Sequence, residues 1–189
     1  MPRLWTDTIA AHRHEVRDAI MDTTAALVAE RGLRSVTMSQ IAERTGIGRA
    51  TLYKYFPDVE AIVAAWHERH VAGHLHRLTE LARGDGPVDE RLRAVLEQIA
   101  MIQLEGHAGA LGPLLHRPEH VGQAHHHLAE LMRDLLVAGV EAGRVRADAP
   151  PDELVGYCLN ALATARGLDS ETAVRRLAAM TLAGLRPEP

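Results

Sequence analysis

Twelve histidines and a tight group of basic side chains are the residues of this 189-residue chain whose types and spacing could do chemistry. The histidines raise metal ligation first. His67-Glu-Arg-His70 is one residue short of the HExxH pattern, which sets two imidazoles on one helical face. His116-Arg-Pro-Glu-His120 has the inverted spacing but carries Pro118 inside it, and proline interrupts the helix that must align both ligands. His70 and His74, at i and i+4, could share an ion, whereas His125–His127 splays its rings around a helix. These histidines read better as surface or pocket-lining groups, so no metal and no cofactor is expected. The chain also lacks a paired-carboxylate cleft motif, a Ser/His/Asp pattern and a phosphate-binding glycine loop. An enzyme is therefore not expected, and a metal-dependent helical enzyme is kept as the competing reading.

The basic group points to phosphate. Within residues 31–57 the cations are Arg31, Arg34, Arg44, Arg49 and Lys54, against Glu43 alone, a local charge of +4. The chain as a whole carries −4, and residues 58–189 carry −6 of it. Phosphate would be attracted to the first part and repelled by the second. Aromatic side chains are scarce, yet Tyr53, Tyr55 and Phe56 crowd into the same stretch.

The elements that must position these groups are helices. Apolar residues recur at helical spacing nearly throughout, and no stretch alternates like a strand. A first helix is predicted over about 12–31, with Val16, Ile20, Thr23 and Ala26/Leu27 on its apolar stripe, stopping at Gly32. Thr37 with Gln40 forms a capping box for a short helix over about 38–45, and a second short helix follows over about 49–55. Pro57 breaks the chain and Asp58 caps a long helix over about 58–83. Beyond the Arg83-Gly-Asp-Gly-Pro87 loop, helices are predicted at about 88–105, 108–116, 119–143, 151–166 and 170–185. The expected fold is all-α with about nine helices.

Two short helices that cross tightly need particular residues at their contact. Ala42 supplies a small residue where they meet, Gly46 a turn residue tolerant of positive φ, and Ile41, Ile47, Leu52 and the Tyr55 ring the apolar contact. These features in register with the basic group predict a helix-turn-helix over residues 31–57. Residues 19–66 closely resemble the DNA-binding region of the tetracycline-repressor (TetR) family, most specifically in Thr51-Leu52-Tyr53-Lys54-Tyr55-Phe56 followed by Pro57. The resemblance implies a helix-turn-helix DNA-binding domain over 1–57. A C-terminal helical ligand-binding and dimerisation domain would follow over 58–189, with the fourth helix as link.

By the same resemblance, helix 49–55 is the recognition helix that enters the major groove. Arg49 could pair with guanine and Ala50 could touch a thymine methyl, while Thr51, Tyr53 and Tyr55 resemble positions that contact phosphates or bases. Thr37 caps a helix whose N-terminus can hold a phosphate, and Arg44 and Lys54 are further phosphate contacts. Two departures stand out. Gly48 heads the recognition helix where the family has a serine-like cap, at a cost of a few tenths of a kcal/mol. Val59 stands where the family often has a phosphate-binding lysine. One fewer phosphate contact per subunit makes the salt slope shallower by about 1.8 for a dimer, at ~0.9 per phosphate.

The resemblance further implies a homodimer through helices 151–166 and 170–185, both rich in alanine, and an unidentified small-molecule effector. The effector pocket does not transfer by motif. Apolar patterning offers Trp66, Met101, Leu104, Leu111, Leu114, Leu128 and Met132 as its lining, with His70 or His116 as polar groups. The partner expected for the first domain is double-stranded operator DNA, and the function expected is that of a repressor released by its ligand. A ligand-independent DNA-binding regulator is the nearer alternative. No apolar run reaches the roughly 20 residues of a membrane span, the N-terminus lacks a secretory core, and the lone Cys158 suits a reducing compartment, so a cytoplasmic protein is expected.

Overall fold

The computed structural model describes residues 3–108 and 118–187, with side chains over 11–105 and 122–187. Among the described residues there are eight α-helices and no strand. The helix predicted over 108–116 lies, past position 108, outside the described residues. The eight are α1 Arg3–Arg31, α2 Met38–Thr45, α3 Arg49–Tyr55, α4 Val59–Arg83, α5 Val88–Ala108, α6 Pro118–Glu141, α7 Pro151–Ala163 and α8 Glu171–Ala183.

α1 starts well before position 12. Residues 11–15 are all exposed, and helix propagation past a nucleated segment needs no apolar stripe there, so patterning places the start too late. Its buried face is also turned slightly from the predicted one. Ile20, Met21, Thr24, Leu27 and Val28 are buried, while Thr23 is half-buried and Ala26 is exposed. Buried Thr24 satisfies its hydroxyl by donating to the Ile20 carbonyl at 2.8 Å. At the other end of the chain, the helix predicted to run to 166 gives way to a 3-10 turn, Thr164–Gly167.

The chain forms two compact units, one running to His70 and the other starting at Val71. In the first, α1, α2, α3 and the beginning of α4 enclose one core: Ile20, Leu27, Ile41, Leu52 and Ile62 are essentially inaccessible to solvent. Arg69 of α4 adds a polar tie within this unit, pairing with Asp18 at 2.9 Å and with Asp22. In the second, α5 is central and packs on α6, α7 and α8. It buries Leu92, Val95, Leu96, Ile99 and Ala100 against Met132, Leu136, Leu162 and Val174. Cys158 is fully buried there, and burial pushes its thiol up to about 12.

Candidate nucleic-acid interface

The chain between α1 and α3 is shaped by local hydrogen bonds. Gly32, at φ 78°, ends α1, and a 3-10 turn, Leu33–Ser35, leads to the cap of α2. Thr37 is that cap: its amide donates to Gln40 Oε1 at 2.9 Å, and its hydroxyl oxygen accepts from the Gln40 amide at 3.4 Å. Two of the orphan donors at the start of α2 are thereby satisfied.

α2 ends at Gly46, whose φ of 72° and ψ of 18° are left-handed and whose amide donates to the carbonyls of Ala42 and Glu43. The Ile47 amide then donates to Ala42 at 3.1 Å, closing the turn over the small side chain. Gly48 caps α3 with extended backbone, φ −66° and ψ 143°, and no side-chain bond. Leu52 and Phe56 anchor α3 in the core, and the Arg17 guanidinium lies 4.5 Å from the centroid of the Phe56 ring.

Burial of Leu52 fixes which face of this seven-residue helix meets solvent. Arg49, Ala50, Thr51, Tyr53 and Lys54 are all exposed, as is Gly48, whereas Tyr55 is half-buried against the core. The surface so formed carries two cations, a methyl group and two hydroxyls within one helix, a composition suited to base edges and phosphates. Thr37 is exposed beside it, with its hydroxyl occupied in the capping box.

Arg44 is exposed as well and is paired within the protein. Its two terminal nitrogens donate to the two oxygens of Glu30 at 2.9 and 2.8 Å, a bidentate pair joining α2 to α1. The Arg44 hydrogen bonds hold the Glu30 carboxyl below its ordinary value, and Glu30 raises Arg44 in turn. The two residues stand 14 positions apart, on different helices, so no local pattern marks the pair.

The effector candidates are distributed over both units. Trp66 is half-buried on the first core and its ring stacks on His70, centroids 5.0 Å apart and planes 12° from parallel. Met132 is wholly enclosed in the second core, with Met101, Leu104 and Leu128 packed half-buried against that core. Leu111, Leu114 and His116 lie outside the described residues. Among the described residues no three His, Cys, Asp or Glu side chains are grouped as metal ligands. α6 begins at Pro118, so His116 precedes the helix that holds position 120. No helix among the described residues is long and apolar enough to cross a membrane.

Comparison with known proteins agrees with this architecture. The family model for bacterial regulatory proteins of the tetR family matches residues 20–66, and that for the SbtR-like transcriptional regulator C-terminal domain matches residues 90–187. The chain is 31% identical over 86 residues to the HTH-type transcriptional repressor NemR of Escherichia coli K12, covering 45% of this chain and 43% of the repressor. It is 33% identical over 90 residues to the repressor LfrR of Mycolicibacterium smegmatis, covering 45% and 44%. These matches thus span less than half the length of either relative. A TetR/AcrR-family transcriptional regulator from Thermobifida fusca YX-ER1 superimposes with a TM-score of 0.77 at 25% identity, covering 90% of this chain and 98% of that one.

Proposed function

Because this chain belongs to the TetR family of transcriptional regulators, we propose that it is a cytoplasmic homodimeric repressor that binds operator DNA through α3 and is released by a small molecule. The observation that carries the reading is the solvent-facing row Arg49, Ala50, Tyr53 and Lys54, on a helix anchored by buried Leu52 and preceded by the capped α2. Arg49 and Ala50 lie in the first turn of α3, the end that reaches base edges when such a helix enters the major groove. Repression by NemR and LfrR, the relatives so named, supports the direction of control.

The second half of the reading is dimerisation through α7 and α8. Tyr157 of α7 and Met180 of α8 are 43% and 63% exposed, which leaves apolar surface on both helices for a second copy to cover. A two-fold dimer would place two recognition helices about 34–36 Å apart, one turn of the duplex. A ligand that prefers a dimer with another spacing would lower operator affinity by its preference, and operator would weaken the ligand equally.

The test is fluorescence anisotropy at low salt with a labelled duplex covering the region upstream of the chain's own gene. Sedimentation would be run alongside on wild type and Met180→Glu. Saturable binding by a dimer, lost together with the dimer in Met180→Glu, is the expected result. A dimer that binds no such duplex removes the reading. Duplex binding that no metabolite in a screen reverses leaves a ligand-independent regulator.

A further inference from the structure

Val59 is 8% exposed and belongs to the apolar core of the first unit. It also floors a groove of about 790 Å³ bounded by the 3-10 turn after α1, by α3 and by the start of α4. Val36 and Met38 complete the apolar floor, and Arg34 and Tyr53 stand in the lining with their side chains exposed to solvent.

The cations of the region can be accounted for individually. Arg44 is tied to Glu30, and Arg31 adds its field to the same carboxylate. Arg49 and Lys54 stand on α3. Arg34, on the 3-10 turn, is exposed and makes no hydrogen bond or ion pair among the described residues. Two carboxylates share the groove. Asp58 is turned to the start of α4, where its Oδ1 accepts from the Ala61 amide at 2.7 Å, and Glu60 is exposed in the first turn of that helix.

We propose that this groove seats the sugar–phosphate backbone of the bound duplex, with Arg34 as its phosphate-binding cation, and that Arg44 positions α2 without touching DNA. The proposal rests on the DNA-binding reading above. An apolar floor accepts deoxyribose, while a guanidinium and a phenol hydroxyl at the edges supply donors to phosphate oxygens. Arg34 is suited to that task because no described residue pairs with its guanidinium, whereas the charge of Arg44 already faces the Glu30 carboxylate through two of its N–H donors.

The salt dependence of binding separates the two arginines. With a labelled duplex from the chain's own upstream region and with a random-sequence duplex, the slope of log K against log[KCl] is measured for wild type and variants. Each phosphate contact contributes about 0.9 to the slope. Arg34→Gln is expected to flatten it by about 1.8 per dimer and to weaken both duplexes by the same factor. Arg34→Lys keeps the slope, which guards against misfolding as the cause. Arg44→Gln weakens binding with the slope unchanged, and the exchange Glu30→Arg with Arg44→Glu recovers affinity. An Arg34→Gln slope equal to wild type, or an Arg44→Gln slope flatter by the same 1.8, overturns the proposal while leaving DNA binding in place. A wild-type dimer that binds neither duplex overturns the DNA-binding reading itself, and this proposal with it.

Discussion

Gly46 and Gly48 stand two residues apart in the turn between α2 and α3, and they should respond to substitution in opposite directions. Gly46 has φ 72°, and a Cβ there would meet nothing within 4 Å, so only the backbone opposes a side chain. Left-handed geometry costs an L-residue roughly 1–2 kcal/mol. Removing a glycine from the unfolded chain returns about 0.4–1 kcal/mol. Gly46→Ala should therefore destabilise the first unit by about 1 kcal/mol, and Gly46→Asn by less, since asparagine tolerates this region. Gly48 has φ −66°, and its Cβ would meet only the Thr51 hydroxyl at 3.9 Å. Gly48→Ser should gain a few tenths of a kcal/mol by capping α3.

Both tryptophans of the chain, Trp5 and Trp66, precede Val71, so intrinsic fluorescence in urea follows this part of the molecule. With m of roughly 1–3 kcal/mol per molar, the Gly46→Ala midpoint should fall by about 0.3–1 M at unchanged m. A Gly46→Ala midpoint at or above wild type, or an equal loss in Gly48→Ser, would refute the reasoning, because the left-handed turn would then not be what separates the two sites.

Three further outcomes follow from the packing and charges. Glu30 has its folded pKa lowered by Arg44, so the pair contributes above the ordinary glutamate range and is lost as pH falls through the lowered value. The stability difference between wild type and Glu30→Gln, followed by tryptophan fluorescence at low salt, should be constant near neutrality and shrink in acid; a difference that grows in acid contradicts this. Cys158, buried with its thiol raised to about 12, should resist iodoacetamide at pH 8 in the native protein and react after unfolding, as read by mass spectrometry. Gly139 of α6 has Val145 Cγ2 only 2.5 Å from where a Cβ would stand, so Gly139→Ala should cost about 1–3 kcal/mol by overpacking, with much of that loss absent when Val145→Ala is present too. Calorimetry of the four proteins in that cycle would reveal the coupling.

What the sequence disclosed was what is local. The capping box joins residues three apart, the left-handed turn needs a single glycine, and the bounds of α2 and α3 follow from those two features. Each is a short-range constraint that leaves a residue-type signature. The Glu30–Arg44 and Asp18–Arg69 pairs depend on how α1 crosses its neighbours, and charged residues at those positions look like any solvated helix face. That is why the sequence shows Arg44 as one more cation of the basic group and leaves its carboxylate partner unseen. The effector lining was opaque for another reason: an apolar side chain facing a cavity and one facing a core have the same periodicity, and Met132 proves to be fully enclosed. The start of α1 is not marked because residues 11–15 are exposed and polar or small, so no apolar stripe leads back through them.

The first half of α4 has a consequence for how such proteins can be recombined. Val59, Ile62 and Val63 are buried with the DNA-binding helices, and Arg69 is tied to α1. A chimera joined just after Pro57, the natural break in the chain, would replace three core side chains and a salt bridge with those of a stranger. Each buried aliphatic stabilises by about 1.5–3 kcal/mol relative to exposure, so a mismatch there could undo the whole N-terminal unit. A junction after His70 carries those partners along with α1. The segment inherited as one piece thus runs past Pro57 to His70, and a graft of the first unit onto another second unit means moving all of it.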